Sequence, residues 1–158
     1  MNKEINVLIP YDLLARDLAQ KVLSSGFHKE DLFDSTIVKI GPILKLNDIS
    51  NDHLIDSLNH YLDRYDDFKM LTKFSVGDKF DYIVIDASSV EKYGINNFPT
   101  EDEVKKIMKE NAEIIIDTCR ACSRCDNYVK ARYSNLNLKL IHQKEKITKY
   151  ILSKALAN

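Results

Sequence analysis

The chain has 158 residues, 44% of them hydrophobic and 30% charged, and its 23 basic and 24 acidic residues leave a formal net charge of -1. That length suits one hydrophobic core, so residues 1–158 are expected to form a single α/β domain, and the composition is that of a globular chain and not a disordered one. With the charges interspersed there is no global field for phosphate backbones or anionic lipid, and neither nucleic acid nor a membrane is an expected partner.

MNKEINVLIP carries only a short apolar run before Tyr11 and Asp12, well short of a signal-peptide core or a membrane span, which sets the expectation of a cytoplasmic protein. Its apolar residues, 5 to 10, read as a first strand. Leu14, Leu18, Val22 and Leu23 follow at helical spacing, with Gly26 where a helix would end. STIVKI reads as a second strand, after which Ser50 caps a helix with Leu54, Ile55, Leu58, Tyr61, Leu62 and Tyr65 on one face. The interval from 41 to 78 exceeds one crossover helix, so an excursion is expected there, at DDFKMLTKFS.

FDYIVIDAS is the most strand-like segment of the chain. Behind Pro99, Thr100 and Glu103 stand three apart, the spacing at which two side chains reciprocally satisfy the free amides of a helix start, and a helix is predicted over 101–111. EIIID gives a fourth strand, a helix runs through Val129 and Tyr133, LKLIH gives a fifth strand, and Ile147, Tyr150, Ile151 and Ala155 mark a closing helix. Strands three to five are near-continuous apolar runs, as in strands covered on both faces. The expected architecture is therefore a three-layer, doubly wound, five-stranded parallel sheet of flavodoxin-like or Rossmann-like type.

In such sheets ligands bind at the carboxyl ends of the strands. That rule selects Pro10, Tyr11 and Asp12 after the first strand, Asp86, Ser88 and Ser89 after the third, Asp117, Thr118 and Cys119 after the fourth, and His142 and Gln143 after the fifth. Only four glycines occur and none follows the first strand, so neither the dinucleotide turn nor the phosphate-binding loop is present, and NAD, FAD or ATP held in those ways is not expected. A small molecule or a metal ion is the expected partner at this edge.

All three cysteines fall within seven residues, too close to form a useful disulfide framework. Cys119, Cys122 and Cys125 allow three readings. As thiolates they would bind zinc or an iron-sulfur cluster, with His142 or Asp117 as a fourth ligand. As a Cys-x-x-Cys at a helix start, Cys119 would be a reactive thiolate, with Asp117 orienting and His142 a base. As packing, Cys122 and Cys125 continue through Val129 and Tyr133 as one helical stripe, leaving only Cys119 near the edge.

VLIPYDLLARDLAQKVLSSGF, together with the later strand ends, resembles the receiver domains of response regulators. The resemblance implies Asp12 at an acidic cation-binding position, Asp86 at the phosphate-accepting aspartate, Thr118 as the switch hydroxyl and Lys144 as a displaced form of the lysine after the fifth strand. Pro10 and Tyr11 depart from the family's acidic pair, so the likeness is one of architecture. Two expectations from different classes follow: a protein of uncertain enzymatic status acting by metal or thiol chemistry through the cysteine cluster, and a non-catalytic sensing or partner-binding domain using Asp12, Asp86, Ser88 and Thr118 with the cysteines as packing. A homodimer stays open, because a helix face buried against a second copy reads like one buried in its own core.

Overall fold

The computed structural model describes residues 4–9, 17–18, 20–21, 37–42, 51–63, 74–119 and 123–155. Within them lie β1 (Glu4–Ile9), β2 (Ile37–Pro42), α1 (Asn51–Leu62), β3 (Phe80–Asp86), α2 (Ser88–Tyr93), a 3-10 turn (Ile95–Asn97), α3 (Glu101–Ile107), β4 (Met108–Asp117), α4 (Ser123–Arg132), β5 (Leu138–Ile141) and α5 (Lys144–Ala155). Residues 17, 18, 20 and 21 are helical, and Leu18 is buried. The predicted residues Leu14, Val22, Leu23, Gly26, Ser50 and Tyr65 lie outside the described residues.

All strand pairs are parallel and the order is β2-β1-β3-β4-β5. This is the flavodoxin-like order, in which the chain winds outward from β1 to β2, returns past β1 to β3 and continues through β4 to β5. Crossovers of constant hand then place helices on opposite faces on either side of the reversal. Isoleucine and valine dominate the central strands because the sheet is covered twice: Ile83, Val84, Ile85, Ile114, Ile115 and Ile116 are each no more than 1% exposed. On one face Tyr82 and Tyr150 pack edge to face with centroids 6.5 Å apart, which seats α5 over β3 and β4. The buried Thr148 hydroxyl of α5 donates to Asp17 at 3.1 Å, tying the 17–21 segment to the same face.

The start of α3 is as read from the sequence. Glu103 N–H donates to the Thr100 hydroxyl at 3.2 Å and Thr100 N–H to the Glu103 carboxylate at 2.9 Å. Acceptance from the Thr100 backbone is the main reason the Glu103 carboxyl is held below its ordinary range. The end of the helix is not as read. Val104, Ile107 and Met108 keep helical spacing, but Met108 is already extended (φ -103°, ψ 144°) and begins β4. What stops the helix is the sheet: Phe80 pairs with Met108 and Tyr82 with Glu113 across a register shift, while Lys109 Nζ reaches Asp81 at 2.9 Å. The predicted helix 101–111 is thus a helix to 107 and a strand from 108.

The expected burial of the fifth strand is also corrected. β5 is an edge strand with Lys139 and Leu140 exposed, Leu140 at 43%. Tyr133 lies just past α4, fully buried, its hydroxyl donating to the Pro99 carbonyl at 2.8 Å beside the Arg132 guanidinium on the same loop. Of the expected excursion only Phe74 and Ser75 are described. Asn59 of α1 clips the Phe74 backbone on both sides, donating to its carbonyl at 2.7 Å and accepting its N–H at 3.0 Å. Gly41 makes room for this: a Cβ there would lie 2.9 Å from the Phe74 ring and 3.1 Å from Leu58.

Candidate functional site

β3, β4 and β5 end level with one another. Asp86 pairs in register with Asp117, Ala87 N–H donates to the Asp117 carbonyl at 3.0 Å, and Thr118 N–H donates to Ile141 at 3.1 Å. Partners in a parallel register project to the same face, about 4.8 Å apart at the backbone, so the fold sets two carboxylates side by side at the end of its most buried strands. At that separation two carboxylate charges repel by roughly 3 kcal/mol in an effective dielectric near 20, so their surroundings decide how they ionise.

Those surroundings are unequal. Asp86 is 4% exposed and accepts from the Ser88 hydroxyl at 2.6 Å, the Ser89 hydroxyl at 2.6 Å and the Ser88 N–H at 3.2 Å. Both serine hydroxyls go to Asp86 and neither to Asp117. Burial, reinforced by the charge of Asp86, pushes the Asp117 carboxyl up from 3.8 to about 6; His142 opposes the rise and Asp126 adds to it.

His142 is fixed by a 2.7 Å contact between Nδ1 and the Thr118 carbonyl. A carbonyl only accepts, so Nδ1 carries the proton and Nε2 is left for other chemistry. The next residue, Gln143, adopts a left-handed conformation (φ 84°) and opens α5, accepting the Ile147 N–H at 3.2 Å. Asp126 of α4 reaches back to accept the Cys119 N–H at 3.0 Å, fixing the 118–119 loop against α4. Asp126 was not among the residues read as functional. The spacing Ser123-Arg124-Cys125-Asp126, a hydroxyl followed three residues later by an acid, was the signal that an acid stands in this first turn.

The reading of Cys119, Cys122 and Cys125 as one metal or thiol cluster is overturned. Among the described residues no three His, Cys, Asp or Glu side chains gather in a way that would hold a metal ion. Cys125 is 3% exposed and lies in the core with Val129 and Tyr133, as the helical stripe demands. Cys119 is half-buried and packs against that core, while Cys122 lies outside the described residues. The metal, redox and cysteine-cluster reading falls together.

Of the other predicted site residues, Asp86, Ser88, Ser89, Asp117, Thr118 and His142 come together at one edge, whereas Pro10, Tyr11 and Asp12 lie outside the described residues. The Ser88 hydroxyl, expected to meet a ligand, orients Asp86. Lys144 is an exposed first residue of α5, and the charges acting on Asp117 are those of Asp86, His142 and Asp126. Compared with protein-family models, with curated proteins and with solved structures, the chain matches none.

Proposed function

We propose that this chain is a binding domain for a small molecule bearing a protonated amine, held at the carboxyl edge by Asp117. The observation that carries the reading is the imbalance of charge around Asp117: Asp86 beside it in register and Asp126 both act on it with His142 as the opposing group, and the Ser88 and Ser89 hydroxyls go to Asp86. An ammonium beside Asp117 relieves the repulsion that raises its proton affinity and gains a charge-assisted hydrogen bond. In this reading His142 Nε2 meets a second polar group of the ligand, and Asp86 sets the field without touching it. The cytoplasm suits the Cys119 thiol, since thiols there stay reduced.

Calorimetric titration with ethanolamine, putrescine and agmatine tests the proposal. At least one of these amines is expected to bind, more tightly at pH 7.5 than at pH 5, because Asp117 must give up its proton with a midpoint of about 6. Asp117→Asn is expected to weaken binding by about tenfold or more, the loss of one charged partner. Binding unchanged in Asp117→Asn, or no binding by any of the three amines, would contradict it.

A further inference from the structure

The buried and exposed sides of α5 differ in chemistry. Ile147, Thr148 and Ile151 are fully buried against the sheet, while Lys144, Lys146, Lys149 and Lys154 are all exposed and Glu145 is the only acid in the helix. On another flank of the helix, the ammonium of Lys139 of β5 lies 5.5 Å from the centre of the Tyr150 ring and that of Lys154 5.7 Å from it. Lys144 and Lys146 occupy the first turn, where the helix dipole disfavours cations by a few tenths of a kcal/mol, so helix stability does not account for them. Among the described residues no carboxylate lies within ion-pair distance of Lys144, Lys146 or Lys149. The acid on the adjoining segment, Asp17, is already engaged by Thr148 and by Lys21.

Beside these lysines runs a groove of about 410 Å³, lined by Lys21, Glu145, Lys149, Leu152 and Ser153. Its surface is mostly apolar, as Leu152 and the aliphatic stems of Lys21 and Lys149 supply, and its charged groups are two lysines and Glu145.

We propose that the exposed face of α5 and this groove dock an acidic segment of a partner protein that carries an apolar side chain. The lysines supply charge complementary to its carboxylates, and the groove accepts the apolar side chain. Two other anionic partners fit less well. A helix that settles into a bilayer inserts its apolar face, and on α5 that face is buried on the sheet. A phosphate backbone would cover the apolar surface and Glu145 without compensating contacts. This surface is independent of the carboxyl edge, and either proposal can fail alone.

Fluorescence anisotropy with a labelled Glu-Glu-Leu-Glu-Glu-Phe-Glu-Glu peptide tests it on the full chain. Binding is expected to weaken as salt rises, to fall by about tenfold or more in Lys146→Glu/Lys149→Glu, and to stay within about twofold in Lys92→Glu, an exposed lysine on α2. If the double reversal perturbs folding by circular dichroism, Lys146→Gln/Lys149→Gln replaces it, with a smaller loss expected. The proposal is overturned if the peptide does not bind, if a version with Gln for Glu binds equally well, or if the lysine variants bind like the parent. Tighter binding of oligothymidylate, or of vesicles of phosphatidylcholine and phosphatidylserine in equal parts, overturns it in favour of those partners.

Discussion

β3 and β4 carry polar side chains at both ends, and the two ends treat them differently. At the amino end the acids are paired: the Asp81 carboxylate accepts both the Asn6 N–H at 2.8 Å and the Lys109 ammonium at 2.9 Å, and Tyr150 donates to Glu113 at 2.6 Å. At the carboxyl end acids accumulate, and Asp117 is left raised in proton affinity beside Asp86. Both ends sit on the same buried strands, so burial alone does not separate them. Opposite charges and donors offset the desolvation of Asp81 and Glu113 at the amino end; at the carboxyl end the offset for Asp117 is incomplete, which is the arrangement expected where a ligand completes the set.

The contrast can be broken or sharpened by substitution, read as urea unfolding. The largest loss is expected where the sheet is purely apolar: Phe80→Ala, at a fully buried ring 5.3 Å from that of Phe74, should cost about 3 to 5 kcal/mol. Asp81→Ala should cost about 2 kcal/mol, because it leaves the Asn6 N–H without its acceptor and removes the ion pair with Lys109. Tyr150→Phe should cost about 1 to 1.5 kcal/mol, since the Glu113 carboxylate loses its hydroxyl donor; burial and that bond together hold the Tyr150 phenol protonated far above its ordinary range.

The smallest effect has the opposite sign. The folded protein binds the Asp117 proton more tightly than the unfolded chain, with a midpoint of about 6 against an ordinary 3.8. This contribution is fully present below the unfolded midpoint and is lost as pH rises through about 6. After discounting for solvent screening, Asp117→Asn should therefore stabilise by about 1 kcal/mol at pH 8 and by close to nothing at pH 4. A destabilising Asp117→Asn at pH 8 would place Asp117 among the paired groups of the amino end and remove the contrast.

The fold was legible because most of its elements are specified locally. The Thr100/Glu103 cap, the β-branched runs of β3 and β4, and the alternation of strand with helix each need only a few neighbouring residues. What depends on distant chain was not legible. Met108 continues the helical spacing of Val104 and Ile107, and only pairing with Phe80 turns it into strand. LKLI looks like a buried strand, and only its place at the end of the sheet exposes Leu140. At the site, Asp86 and Asp117 followed from the carboxyl-edge rule, but Asp126 reaches the edge from a helix and escapes it. The cysteine spacing suited both a ligand set and a helical stripe, and at Cys125 the stripe prevailed.

The most direct test is a carbon-detected NMR titration of the Asp117 carboxyl, alone and saturated with whichever amine binds best. A midpoint of about 6 in the free protein, moving down by about one unit or more with the amine bound, is the predicted result. An ordinary carboxylate midpoint near 3.8 that no amine displaces would contradict it.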